Sequence, residues 1–408
     1  MKRPILDMTR LLTRIGRGPL TGIDRVEKAW LDWLLRLRPD ALFLVRSGRR
    51  LVVTDHVGAR AFRDHLAGRG ERVRLPPWLR RRGRGGPARR AAEDCLRATA
   101  LAMGTAGECA ARLWRLGVGE AVYLNLGHVN LTPQTIGLAR QIGAGIVVML
   151  HDAIPLSHPR FCRPESVIHF RRHIALADRC ADVIMTSAEA TRADIRPHLA
   201  RRHRWVIAPL GVEAAAPAPP PPPGPARFVC LSTIEPRKNH ALLLDIWERL
   251  AAELPGESRP ELHLVGRRGW HDEAFFARLD HLVNRDIGIH HHEGMPDAAV
   301  GQLLEKAAAL LLPSRAEGFG LPALEAAARG IPVIVSDLPV FREILKDYPV
   351  YLKADDAYAW EKTIMRLVSD EQSRLGMSRR SPPSLPRWQD HVVGAAQALG
   401  LLPGQGSG

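Results

Sequence analysis

At 408 residues the chain is too long for one ordinary core, so two domains are expected. Its 46% hydrophobic and 25% charged content is that of a globular protein, and no run approaches the ~20 apolar residues of a membrane span. Residues 1–212 hold 37 Lys and Arg against 18 Asp and Glu, a net of +19, while the remainder carries −4. The basic character therefore belongs to one half, which should meet something anionic: lipid headgroups, a lipid-linked diphosphate or nucleic acid.

In chain order, residues 5–8 read as a first strand. A Gly-containing loop at 17–22 opens a helix whose Ile23, Val26, Trp30, Trp33, Leu34 and Leu37 share one face. Strands follow at 41–45 and 51–53. Segment 69–90 carries nine arginines, one acidic residue (Glu71) and Trp78. It reads as a solvated surface loop, as a membrane-facing patch where Arg and Trp suit an interface, or, least of the three, as a nucleic-acid contact. A single helix is expected over 88–115, then a strand at 121–126 ending in Gly127-His128. A helix at 133–142 leads to a strand at 146–150 ending in His151-Asp152. A helix at 165–179, a strand at 181–186, a helix at 188–199 and a strand at 205–209 complete this half. Strands alternating with helices at this spacing predict a parallel, doubly wound sheet.

The composition then breaks at 217–225, PAPPPPPGP, with seven prolines. Such a run is a stiff polyproline II spacer, and residues 213–226 read as an interdomain linker. The second half, 227–385, restarts the alternation. Strands at 228–231, 262–265, 287–292, 307–312 and 331–335 each end in polar or glycine-bearing loops, with helices between them. A strand at 348–352, a helix at 355–369 and a final helix within 386–402 containing Trp388 follow. That last helix could pack back on the first domain, and 403–408 reads as a disordered tail.

The polar groups fall at strand C-terminal ends, where open α/β sheets bind ligands. Glu317 and Glu325 stand eight residues apart around Gly-Phe-Gly-Leu-Pro. Pro322 suits a first helical turn, and the amides of Phe319, Gly320 and Leu321 would face an anion at the helix start. Arg237 and Lys238 stand where another helix begins, a fork and a point charge suited to phosphate oxygens. Two such sheets facing one another would converge these groups on one ligand. The triplet His290-His291-His292 lies on a strand, so alternate rings face opposite ways and no metal site is read there. Five scattered cysteines with no CxxC pair give neither a zinc site nor a disulfide framework. With MKRPILDMTRLL lacking a signal peptide's apolar core, a reducing cytoplasm is the expected compartment.

PRKN at 236–239, VGRRGW at 265–270 and EGFGLPALE at 317–325 resemble the family 4 (group 1) retaining glycosyltransferases of the GT-B fold. Thr21 to Val26, LNLGH at 124–128 and HDAIPL at 151–156 are similar to a bacterial branch acting in surface-polysaccharide assembly. The resemblance implies two Rossmann-like domains facing across a cleft: an acceptor-binding domain at 1–212 and a nucleotide-sugar domain at 227–385. It implies metal-independent transfer of a hexose, mannose ahead of glucose, from a nucleotide-diphosphate sugar to a glycan or lipid-linked oligosaccharide. No further cofactor is implied. Glu317, His151 and Asp152 map to the reacting sugar. Arg237, Lys238, Phe319, Gly320, Leu321 and Gly22 map to the diphosphate. Glu325, Gly266, Gly294 and Met295 map to the ribose and base, and His128 and Arg25 to the acceptor side. A glycine often found in the family after the first strand of the second domain is here Ser232 or Thr233. Expected partners are the donor, the acceptor and an anionic membrane surface, with the protein peripheral on the inner face. No nucleic-acid motif is present. A GT-B-fold epimerase or phosphorylase, or a non-catalytic nucleotide-sugar-binding subunit, is the alternative.

Overall fold

The computed structural model describes residues 1–73, 76, 86–213, 216–219, 224–369 and 383–402. The first sheet contains β1 (Arg3–Asp7), β2 (Leu42–Ser47), β3 (Arg50–Thr54), β4 (Ala100–Gly104), β5 (Ala121–Asn125), β6 (Gly145–Met149), β7 (Val183–Thr186) and β8 (Arg204–Ile207). Its order is β4-β3-β2-β1-β5-β6-β7-β8. The second contains β9 (Arg227–Leu231), β10 (Glu261–Val265), β11 (Ile289–His292), β12 (Ala309–Leu312), β13 (Val333–Ser336) and β14 (Val350–Leu352). Its order is β11-β10-β9-β12-β13-β14, and every pairing in it is parallel. Central strands such as β5, β12 and β13 are buried at every position, as strands covered by helices on both faces must be.

Two local expectations are corrected. The first sheet is mixed, because β2–β3 and β3–β4 pair antiparallel. Ser47 pairs with Arg50, so only two residues join β2 to β3, and Gly48 takes a φ of +69°. A link that short can only return as a hairpin. The single helix expected over 88–115 is instead a helix (Pro87–Ala98), strand β4 and a second helix (Ala106–Arg115). Thr105 and Glu108 form a capping box that starts the second helix, and edge pairing with β3 takes the residues before it.

The last described helix lies on the first domain. The helix Trp388–Ala398 packs against the helix Gly22–Leu37, where Trp30 Nε1–H donates to His391 Nε2 at 3.2 Å. His391 Nδ1–H donates to the Ala208 carbonyl at 3.1 Å. Gly211 lets the chains touch, since a Cβ there would lie 2.0 Å from the Trp388 nitrogen. Residues 74–75 and 77–85 of the arginine-rich segment, 220–223 of the proline run and the 403–408 tail lie outside the described residues.

Candidate active site

The C-terminal ends of both sheets open onto one cleft of about 1550 Å³. In the second sheet β9 lies between β10 and β12, so the strand order reverses beside it. Loops leaving strands on either side of such a reversal diverge and leave a crevice. The turn Pro236–Lys238 after β9 therefore meets loop 313–320 after β12. Arg315 N–H donates to the Arg237 carbonyl at 2.7 Å and ties the loops together.

Glu317 stands in this crevice. Its carboxylate pairs with Lys238 Nζ, lies 3.3 Å from Arg237 and accepts from Ser314 Oγ–H at 2.7 Å. Only 6% of the Glu317 side chain and 10% of Lys238 is exposed, so this is a buried pair. Burial alone would raise the carboxyl, but Lys238 and Arg237 outweigh it and hold Glu317 down to about 2. It is thus a fixed anion at neutral pH and cannot serve as a general acid. Burial lowers the Lys238 pKa, and the adjacent Arg237 charge adds to that.

The helix Leu321–Ala328 opens at Gly320, whose φ is +93°. A side chain there is also blocked, because a Cβ would lie 2.4 Å from the Phe341 ring. With Pro322 in its first turn, this helix presents amides that have no intrahelical partner. Gly266 and Gly294 line the cleft beside Met295. At Gly266 a Cβ would lie 2.0 Å from the Ser232 carbonyl, so its glycine is required by the backbone itself.

The first domain supplies the facing wall. His151 follows β6, and its Nε2–H donates to the Leu126 carbonyl at 2.7 Å, leaving Nδ1 as the acceptor nitrogen. Burial pushes this imidazole down to about 4, so the ring is neutral at physiological pH. Asp152 Oδ1 accepts from Ile154 N–H at 3.1 Å, and burial raises its carboxyl against the pull of Arg237. Gly318 brings the walls together: a Cβ there would lie 2.7 Å from the His151 carbonyl and 3.0 Å from Asp152 Cβ. Thr191 Oγ1–H donates to the Gly318 carbonyl at 2.7 Å. The Glu189 and Ala190 amides each donate to the Glu343 carboxylate at 2.7 Å.

The expected residues converge, with two revisions. His128 does not line the cleft; it sits behind His151, where its Nε2 accepts the His151 N–H at 3.0 Å. Its backbone is left-handed (φ 57°), and its half-buried ring lies 4.8 Å from that of His151. Arg25 lines the cleft but crosses it to pair with Glu325, with Asp297 3.7 Å away. Gly22 packs on the same helix start, 3.2 Å separating a Cβ at Gly22 from Leu321 Cδ1. Sequence reasoning missed Ser314, Thr191, Glu343 and Ser187. Ser187 lines the cleft, and its buried hydroxyl has no hydrogen-bond partner among the described residues. It follows β7 as His151 follows β6, so the strand-end rule would have found it.

Residues 213–382 match the family model described as glycosyl transferases group 1. The serotype-specific mannosyltransferase WbdA of Escherichia coli is 27% identical over 237 residues, 53% of this chain and 29% of that protein. The match thus spans about three tenths of that relative's length. The O-antigen chain mannosyltransferase RfbU of Salmonella typhimurium is 48% identical over 65 residues, 16% of this chain and 18% of that one. Among solved structures, Anabaena Alr3699/HepE in complex with UDP and glucose superposes with a TM-score of 0.65 at 14% identity, covering 98% of this chain and 100% of that one. At that identity the likeness is one of fold, the two-domain GT-B architecture.

Proposed function

We propose that this chain, whose residues 213–382 match the glycosyl transferases group 1 model, is a retaining hexosyltransferase that moves mannose from a nucleotide-diphosphate sugar to a glycan or lipid-linked acceptor. The observation that carries this reading is the Glu317–Lys238–Arg237 cluster beside a helix N-terminus, facing His151 and Asp152 across the cleft. Mannose is favoured because the similar WbdA and RfbU are named mannosyltransferases.

The residues divide the work. When the glycosidic bond breaks, its electron pair goes to the departing diphosphate. Arg237, Lys238 and the first amides of the helix Leu321–Ala328 stabilise that charge from fixed positions, an effect worth about 3 kcal/mol or more. The same cations make transfer possible without a metal ion. The anomeric carbon gains positive character, and the fixed anion Glu317 and the neutral His151 Nδ1 hold the sugar around it. The acceptor oxygen bonds to that carbon on the face the phosphate leaves, and a phosphate oxygen takes its proton, giving retention. Glu325 and the loop at Gly294 and Met295 receive the ribose and base. Arg14, Arg17, Arg36, Arg60 and Arg63 line the first-domain side of the cleft and suit an anionic acceptor lipid.

A thermal-shift screen of GDP, UDP, ADP and dTDP sugars, followed by product analysis with the stabilising donor, tests this. Stabilisation and transfer with GDP-mannose are expected. Donor turnover without a glycoside product, or no response to any nucleotide sugar, would overturn the reading.

A further inference from the structure

The outer edge of the second sheet gathers histidines away from the cleft. Strands β10 and β11 run parallel with His263 opposite His290 and Val265 opposite His292. Leu262, Leu264 and Ile289 face inward to the apolar cluster under the helices His240–Glu253 and Glu273–Asn284. By alternation Glu261, His263, His290 and His292 share the other face. None of the four lines the cleft. His291, on the inward-alternating register, instead meets the Gly266 carbonyl at 2.9 Å through Nε2.

These side chains are drawn together tightly. The ligand atoms of Glu261, His263 and His290 all lie within 4.8 Å of one another. His263 Nε2 is 3.3 Å from Glu261 Oε2, about the separation of two ligands on a tetrahedral ion with bonds of ~2.0–2.2 Å. The His263 and His290 rings stack with centroids 4.7 Å apart, and the soft terminal torsion of histidine allows the turn that would bring both nitrogens onto one ion. On its other side His263 Nδ1 lies 3.0 Å from His292 Nε2. That contact is what a ligating imidazole uses to fix its tautomer: Nδ1–H donates to His292 while Nε2 is free for metal. Arg227 Nε–H donates to Glu261 Oε2 at 2.6 Å and orients the carboxylate in the same way.

We propose that Glu261, His263 and His290 bind a divalent transition-metal ion, zinc fitting best, with His292 and Arg227 as supporting outer contacts. Two imidazoles and one carboxylate with a position left for water is a set that zinc accepts and that magnesium or calcium, which take oxygen ligands, does not. The ion would pin edge strand β11 to β10 and is distinct from the transfer chemistry in the cleft.

The test strips the full-length chain with EDTA and titrates it with Zn²⁺ by calorimetry and with Co²⁺ by visible absorption. One ion per chain is expected, with a Co²⁺ spectrum of nitrogen and oxygen ligation lacking thiolate charge transfer. His263→Ala and His290→Ala should each weaken binding by about 100-fold or more, since loss of even an outer partner costs roughly 10–100-fold. His291→Ala, altering the opposite side of the same strand, should leave the affinity unchanged. The isosteric His263→Gln serves if an alanine variant fails to fold. Absence of saturable binding, or binding indifferent to His263→Gln and His290→Ala, would overturn the assignment.

Discussion

Arg25 of the first domain and Glu325 of the second form an ion pair across the cleft, at the position where the donor's ribose is proposed to sit. Burial raises the Glu325 carboxyl and Arg25 opposes it. A ribose bound to Glu325 must share or displace this partner. Arg25→Ala should therefore tighten nucleotide binding by up to about fivefold, the scale of a partly exposed pair. Calorimetric titration with GDP decides it; weaker binding would show that Arg25 touches the nucleotide itself.

Glu317→Gln should lower transfer by about 10²–10³-fold, the scale of losing one fixed electrostatic group in a water-poor site. It should also cost stability, because Lys238 and Arg237 would lose their buried counter-charge. Glu317 falls from 4.5 to about 2 on folding, so its contribution is complete above pH 4.5 and disappears as pH drops toward 2. Denaturant melts of wild type and variant should differ at pH 7 and converge at low pH. A constant gap would contradict the pairing.

Gly318→Ala adds one methyl group where the two walls touch, against the backbone carbonyl of His151. A carbonyl cannot rotate away as a side chain can, so the domains must part. Transfer should fall by up to about 100-fold for a shift near 1 Å. The isolated domains lose no packing, so the melting temperature should move little. Unchanged kcat would argue that the gap is slack.

His151, His173 and His391 are held down to about 4 and His240 to about 3, burial being the main cause in each. In the unfolded chain they bind protons near 6.5, so the unfolded state gains protons first as pH falls. The contribution of these histidines to stability should therefore decline between about pH 6.5 and pH 4. Urea midpoints from pH 8 to pH 5 test this, and a flat profile would contradict it.

The +19 charge of residues 1–212 and the arginines at the cleft's first-domain rim predict docking on anionic membrane. No helix among the described residues is long and apolar enough to cross a bilayer. Co-sedimentation with phosphatidylglycerol vesicles should be strong at low salt and lost at high salt. Equal behaviour with neutral vesicles would remove the idea.

Sequence alone settled what depends on local pattern. Alternating apolar runs defined two α/β domains. EGFGLPALE carried the glycine loop and helix start within nine residues, and PRKN carried the cationic pair within four. The parallel pattern does not extend to β2 and β3, because the two-residue link after Ser47 returns the chain as a hairpin. Only tertiary structure decided which distant groups meet. Lys238 reaches Glu317 across 79 residues because β9 and β12 are neighbours. His263 joins His290 because β10 pairs with β11 in one particular register. Alternation tells which face a residue takes, whereas the neighbouring strand is chosen by packing of whole helices and sheets. That choice placed His128 against the His151 backbone and Arg25 against Glu325.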